Sequence, residues 1–481
     1  MGIIRKGLPG GSFKPLSEQD IEKIHNTVLQ VIEEIGFQVN SEDARQYFKQ
    51  TGASIDEANR IVRLPRKTVM DLISKAPSEF TLYGRDEKND IHLGGSRVYT
   101  GTGGTALYIY NPGSKEKRLA SLDDLKKIAK LVGGLDNIHL LLLPTYPSEL
   151  PVNQIDVNRF YAGLNNTSKH IMGGVYTLEG IENVIKMAEM VAGGKEQLRK
   201  RPIISMIACC MSPLKLDEHY ADMMIAIAKA GIPLVCPAEP LCGATSPITV
   251  AGNVLMQTVD SLMGVLLTQI VNPGTPVIFG SVATSTDLRD LKYLAGSVEM
   301  GLTNAGSAQM AQFYKLPFYA TGGMTDSKAL DSQSGYESAI TNMLCALAGS
   351  NFIHDSAGLM EFAMTVCLEK YVIDNDILGM VMRAVEGIKV TDETLAFDLI
   401  KKVGPAGNFV TSKHTRRHMR SEHYEPTVSD RNLREDWDAE GGQVAWERAT
   451  ILVNQIIESS DYSLPEDTKK TILSQIPGIV V

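Results

Sequence analysis

Cysteine is scarce in this sequence of 481 residues: there are six, and no two form a C-x-x-C pair. Cys209, Cys210, Cys236, Cys242, Cys345 and Cys367 therefore offer neither a zinc-ribbon nor a thioredoxin-type pattern. Most lie in apolar runs, where a thiol packs as a small hydrophobe in a reducing compartment. Positive charge is also in deficit, with 47 Lys and Arg against 56 Asp and Glu, a net charge of −9. Such a chain lacks the concentrated positive field that nucleic acid requires. Uninterrupted apolar runs are missing too. Met1-Gly2-Ile3-Ile4-Arg5-Lys6 is not followed by the apolar stretch of a signal peptide. Val250 to Val271 is broken by Asn253, Gln257, Asp260 and Gln269, so it reads as a buried helix and not a membrane span. A cytoplasmic protein with no nucleic-acid or membrane partner is expected.

Several catalytic signatures are absent as well. There is no Gly-x-Ser-x-Gly elbow. Gly101-x-Gly103-Gly104 lacks the third glycine of a dinucleotide fingerprint. His414-x-x-x-His418 with Glu422 and His423 is the one metal-like cluster, but Thr415-Arg416-Arg417 between the histidines is not the zincin pattern. Two arginines there also repel a divalent ion, so no catalytic metal is expected.

What is present is a theme repeated eight times. With 43% hydrophobic residues the chain can bury a large core, and short apolar runs alternate with helical stretches from residue 97 onward. The runs are Val98–Ile109, Ile138–Leu143, His170–Val175, Pro202–Cys210, Pro233–Pro237, Pro276–Ser281, Pro317–Thr321 and Asn351–Ile353. They are too short for helices and lack polar alternation, as strands buried on both faces do. Eight strand–helix units in this span predict an α/β fold, a (β/α)8 TIM-type barrel over residues 96–390. Residues 1–95 read as an N-terminal helical cap, with helices near 17–35, 41–51 and 65–76. Residues 391–481 read as a C-terminal extension, irregular to Trp437 and closing in a helix over Gly441–Ser459, which packs on the barrel or a second subunit. A homo-oligomer is expected because this polar tail has little core of its own.

A barrel places its chemistry on the loops after the strands. Those loops carry Tyr99 with Gly101-Thr102-Gly103-Gly104, Pro144-Thr145-Tyr146, Gly173-Gly174-Val175-Tyr176, Cys210-Met211-Ser212-Pro213 and Ala238-Glu239-Pro240. Ser281-Val282-Ala283-Thr284, Gly322-Gly323-Met324-Thr325-Asp326-Ser327-Lys328 and His354-Asp355-Ser356 complete the set. The inventory is aromatic, small and acidic, and poor in Lys and Arg. Aromatic faces with carboxylates suit a cation, above all a quaternary ammonium, which has no N–H to donate.

Taken together, Thr321-Gly322-Gly323-Met324-Thr325-Asp326-Ser327-Lys328, Asp331-x-Gln333-x-Gly335-Tyr336-Glu337, Tyr371-x-Ile373-Asp374-Asn375-Asp376 and Gly404-x-x-Gly407-Asn408-Phe409 resemble the trimethylamine methyltransferase family. His414-Thr415 with Arg420 and Glu422 adds to the resemblance, which runs from about residue 15 to 460. It implies transfer of a methyl group from an amine to the Co(I) corrinoid cofactor of a partner corrinoid protein. Trimethylamine-using members carry pyrrolysine, and this chain has only standard residues, so it is similar to the members without pyrrolysine. The implied substrate is a small quaternary amine, glycine betaine first, with release of dimethylglycine. Proline betaine, carnitine and a non-catalytic betaine-binding role stay open. Under this resemblance His354 is expected to bind the betaine carboxylate. Tyr99, Tyr336 and Phe362 would cage the ammonium, with Glu239 or Asp355 as counter-charge. Gly101, Gly103, Gly322 and Gly323, with Asp326 beside them, would leave room for the corrinoid.

Overall fold

Eight apolar segments lie side by side in one parallel sheet: β1 (Arg97–Thr102), β2 (Leu141–Leu142), β3 (Ile171–Gly174), β4 (Ile204–Ile207), β5 (Leu234–Ala238), β6 (Val277–Ser281), β7 (Phe318–Thr321) and β8 (Phe352–Ala357). The computed structural model describes residues 5–480; Met1–Ile4, part of the opening stretch read above, and Val481 lie outside the described residues. The pairing order of these eight is β1-β8-β7-β6-β5-β4-β3-β2, every pair parallel, and Leu8–Pro9 adds a short antiparallel strand on the other edge of β1. The two end strands also touch. His139 N–H donates to Thr100 O at 2.8 Å, Thr102 N–H donates to Leu140 O at 3.4 Å, and Gly101 bridges Leu140 in parallel.

Each strand is followed by a helix: α1 (Leu122–Gly133), α2 (Val152–Asn166), α3 (Leu178–Ala192), α4 (Glu218–Ala230), α5 (Val250–Val271), α6 (Val298–Tyr314), α7 (Ser332–Ala348) and α8 (Leu368–Glu386). The starts are set by side-chain caps, with Ser121, Thr177, Asp217, Thr249, Ser297 and Asp331 each accepting a first-turn N–H. Helix α5 has the length and hydropathy of a membrane span, yet 78% of its most apolar stretch is buried inside the fold. Its polar interruptions anchor the loops around it. Asn253 donates to Pro240 O and Thr284 O, Gln257 to Gly280 O and Gln269 to Thr275 O, while Asp260 accepts from Ser212 and from Leu214 N–H.

Three expectations need correction. The first apolar run does not continue to Ile109: β1 stops at Thr102, and Tyr108–Asn111 is a separate strand paired with Glu116–Leu119. Thr105, at φ +73°, breaks the extended backbone between them. The N-terminal region is mixed rather than helical. Beside helices Glu18–Gln30, Glu42–Lys49 and Arg66–Ile73 it carries strands Phe37–Val39, Ser54–Asp56 and Ile61–Arg63 and the hairpin Glu79–Leu82/Ile91–Gly94. The stretch after Thr391 holds short helices, including Phe397–Val403 and Lys413–Glu422, and the helix Ala445–Ser459 is followed by another, Glu466–Gln475.

The hairpin fixes which end of the sheet stays open. Leu82, Ile91 and Leu93 pack against Tyr99, Leu140, Met172, Val235, Ile278 and Phe352 in one apolar cluster. That closes off the end where the strands begin and leaves the opposite end to the loops.

On α8 three consecutive residues hold three distant parts of the chain. Asp374 accepts from Gly358 N–H at 2.8 Å, just past β8, and from Lys370 Nζ at 2.9 Å. Asn375 accepts two hydrogen bonds from Asn137, in the turn before β2, from its backbone N–H and its side-chain amide. Asp376 accepts the N–H groups of Thr427 and Val428 in the C-terminal extension. Lys370 also donates to Ser338 Oγ at 2.7 Å, which in turn donates to Gly323 O at 2.7 Å. Burial pushes the Asp374 carboxyl up from its ordinary range, and Lys370 opposes that push. Removing the cation in Lys370→Met leaves a buried, unpaired carboxylate, so urea unfolding should show a loss of about 3–5 kcal/mol near neutral pH. Because the cost belongs to the ionised form, the deficit should shrink as the pH is lowered and Asp374 takes up a proton.

Candidate active site

At the open end of the sheet lies a cavity of about 410 Å³, lined by residues from the loops after nearly every strand. Its floor is built by an irregularity in β8. Between the pairs Ile353–Thr100 and Ala357–Thr102, β8 spends four residues where β1 spends two. In a regular strand, neighbouring side chains point to opposite faces. The bulge brings consecutive His354 and Asp355 to the same cavity. Asp355 sits at φ +60°, a left-handed conformation that a non-glycine residue holds only under tertiary constraint.

The pair is tightly engaged. His354 Nε2 is 2.9 Å from Asp355 Oδ2, Nδ1 is 2.7 Å from Ala320 O, and the ring stacks on Tyr319 at 3.9 Å between centroids. The other Asp355 oxygen accepts from Gly104 N–H at 3.3 Å. Across the cavity Glu239, at the end of β5, faces the cavity solvent while protein surrounds it on the remaining sides. Burial and then the Asp355 charge raise its carboxyl to about 7, with His354 opposing.

Five aromatic side chains line the same space: Tyr176, Tyr220, Tyr293, Tyr319 and Phe362. Burial and the neighbouring carboxylates Glu239, Asp355 and Asp326 push the Tyr293 phenol well above its ordinary range. Burial and Asp355 do the same to Tyr319. The Tyr293 and Tyr319 phenols therefore stay neutral beside the carboxylates of the site. Cys209 also faces the cavity, and burial raises its thiol to about 12, so it is not a ready nucleophile. Neutral aromatic faces around carboxylates make a receptor for a small cation.

The family described as trimethylamine methyltransferase (MTTB) matches residues 3–476. This chain belongs to that family. It is 38% identical to the trimethylamine methyltransferase MttB of Desulfitobacterium hafniense (strain DSM 10664 / DCB-2) over 98% of this chain and 95% of that one. It is 35% identical to the glycine betaine methyltransferase of Desulfitobacterium hafniense (strain Y51) over 89% of each chain. The solved monomethylamine methyltransferase MtmB of Methanosarcina barkeri aligns over 96% of this chain and 93% of its own, with 12% identity and a TM-score of 0.49.

In this MTTB-family methyltransferase His354, Asp355, Glu239 and Phe362 come together at the cavity, whereas Tyr99 and Tyr336 do not. Tyr99 lies three residues before the end of β1, so it points into the packed interior, and its hydroxyl accepts from His92 N–H in the hairpin at the opposite end. Tyr336 is 54% exposed on α7, because its neighbour Glu337 turns inward to accept from Thr325 Oγ1 and Asp326 N–H. His354 has both ring nitrogens on acceptors, which leaves no ring N–H for a substrate carboxylate in this arrangement.

The glycines do not leave open space. A Cβ at Gly101 would meet the Phe352 ring at 2.5 Å, one at Gly103 would meet Asp355 Oδ1 at 2.0 Å, and one at Gly322 would meet Ile353 at 3.1 Å. Gly323, at φ +93°, would strike the Ser356 backbone at 2.6 Å. Their smallness lets the chain pack on itself around the bulge. Asp326 accepts from Ala295 N–H at 2.8 Å and holds the loop that bears Tyr293. His414 and His418 lie on the helix Lys413–Glu422, with His414 hydrogen-bonded to Glu393 O. Sequence reasoning missed Tyr220, Tyr293 and Tyr319. Period-two alternation with Thr321 marks Tyr319 as inward, but nothing in the polar stretch Asp287–Lys292 signals that Tyr293 turns into the cavity.

Glu239 makes the cavity's affinity for cations depend on pH. Its carboxyl is protonated below about 7 and ionised above, and a cation favours the ionised form. Calorimetric titration with tetramethylammonium should show binding that tightens as pH rises through neutrality and then levels. Glu239→Gln should weaken binding and flatten the profile; an unchanged profile in that variant would remove Glu239 from the site.

Proposed function

We propose that this enzyme transfers a methyl group from glycine betaine to the Co(I) corrinoid of a partner corrinoid protein, releasing dimethylglycine. The observation that carries the reading is the cavity: five rings and two carboxylates around a space suited to a small quaternary ammonium. We also infer that the parallel sheet closes into a (β/α)8 barrel through the Gly101–Leu140 contact, with the cavity at the ends of its strands.

The chemistry asks little acid–base work of the protein. The corrinoid is a substrate here, the methyl acceptor. The bond that forms is cobalt–carbon, with both electrons from Co(I). The bond that breaks is carbon–nitrogen, and its pair stays on nitrogen, so the amine leaves neutral and no proton moves. The aromatic walls orient the ammonium and exclude water, Glu239 balances its charge, and His354 fixes Asp355. The cavity is too small for a corrin ring, which belongs at its mouth. Support for docking there comes from Met211, Ile248, Leu288, Leu291 and Met364, large apolar side chains 40–71% exposed on the loops after β4, β5, β6 and β8.

Anaerobic incubation with free cob(I)alamin and a panel of amines tests the reaction by visible absorbance. Methylcobalamin should form with glycine betaine and not with trimethylamine. Formation with proline betaine or carnitine instead would reassign the substrate, and silence with every amine, repeated with a corrinoid protein, would overturn the reading. The docking end is tested separately. Leu291→Asp should slow transfer to a corrinoid protein and leave transfer to free cob(I)alamin unchanged; equal slowing with both acceptors would refute docking at this rim.

A further inference from the structure

Arg159, on α2, is the largest fully buried side chain of the fold. A guanidinium donates five N–H groups and accepts none. Nη2 donates to Leu143 O at 2.7 Å and Thr105 Oγ1 at 3.3 Å, and Nη1 donates to Gly174 O and the Tyr176 hydroxyl, both at 3.3 Å. Its Nε–H has no partner among the described residues. Among the described residues no carboxylate touches it: Asp156, one helical turn earlier, feels the charge of the guanidinium but turns its oxygens to the N–H groups of Tyr176 and Thr177. A cation so deeply buried without a carboxylate in contact is costly unless something supplies the anion.

Three of the groups around Arg159, namely Thr105, Gly174 and Tyr176, line the cavity. The Thr105 and Tyr176 hydroxyls accept from the guanidinium, so each keeps its own hydrogen to donate, and neither finds an acceptor among the described residues. A second, independent sign is backbone strain. Thr105 is β-branched and stands at φ +73°, a conformation such a residue rarely adopts. A side chain held there against its preference, beside a ligand cavity, marks a functional position.

We propose that Thr105 and Tyr176, backed by Arg159, form a carboxylate subsite between the ends of β1 and β3, with Glu239 after β5 left as the counter-charge of the ammonium. The cavity is then bipolar and selects a zwitterion, an ammonium and a carboxylate joined by a short linker, over a simple methylated amine. This rests on the quaternary-amine reading above and assigns to these residues the carboxylate role that His354 has no free N–H to fill.

Three probes separate the two ends by calorimetry: glycine betaine; tetramethylammonium, which lacks the carboxylate; and 3,3-dimethylbutanoate, its isostere without the positive charge. Tyr176→Phe and Thr105→Ala should each weaken glycine betaine and 3,3-dimethylbutanoate by about tenfold or more. Tetramethylammonium should bind both variants as it binds the wild type, which also shows that they fold. Thr105→Ser, which keeps the hydroxyl, should restore betaine binding. Parallel loss of all three ligands, or unchanged betaine affinity in both hydroxyl-deleted variants, overturns the subsite. Failure of the amine reading looks different: tetramethylammonium does not bind, Glu239→Gln leaves betaine untouched, and only the carboxylate probe responds to Tyr176→Phe.

Discussion

The site depends on two extra residues in β8. A parallel strand presents alternate side chains to one face, so adjacent His354 and Asp355 reach one cavity only because the strand departs from its register between Ile353 and Ala357. That departure leaves Asp355 in a left-handed conformation that the strand itself would not choose. Everything near it serves to hold it. Gly103 has no Cβ to strike Asp355, Gly323 has none to strike Ser356, and Asn342 donates to Ser356 O at 3.1 Å. Gly358, at φ +90°, packs against Tyr371 and is fixed by Asp374.

Three of the family's motif stretches share one structural task. The Gly322-Gly323 segment, the inward Glu337 and Asp374 are far apart in sequence, yet they brace the loops after β7 and β8. None of these side chains is among the cavity-lining residues. Of the Thr321–Lys328 stretch only Met324 lines the cavity, beside tyrosines and carboxylates that form no motif.

Polar groups in the interior follow the same logic. The four residues that interrupt the apolar run of α5 are fully buried, and each hydrogen-bonds to a neighbouring loop, turn or, for Gln257, strand β6. A buried amide or carboxylate without partners would cost the fold more than an apolar replacement, so their presence inside a helix signals attachment points. Asn253, Gln257 and Asp260 attach to the end of the sheet where the cavity lies, and Gln269 to the turn before β6 at the other end.

The sequence by itself determined the alternation of eight apolar runs and eight helices, because a strand buried on both faces and a helix with an apolar stripe impose different lengths and periods on the chain. It also determined that Glu239 stands at a strand end, since position along a strand is counted in residues, whereas β8 runs on past Ile353 to Ala357 and carries His354 and Asp355 within it. Tertiary structure alone decided which rings surround the cavity. Tyr99 is three residues too early on β1 and points to the closed end, Tyr336 is turned outward by its neighbour, and Tyr293 enters from a polar hairpin with no periodic signature. It alone decided, too, that the glycines accommodate protein and that Arg159 lies behind Thr105 and Tyr176. Local periodicity reports what a segment buries; which side chains meet across a sheet is set by register, bulges and loop paths, and those depend on contacts between residues remote in the chain.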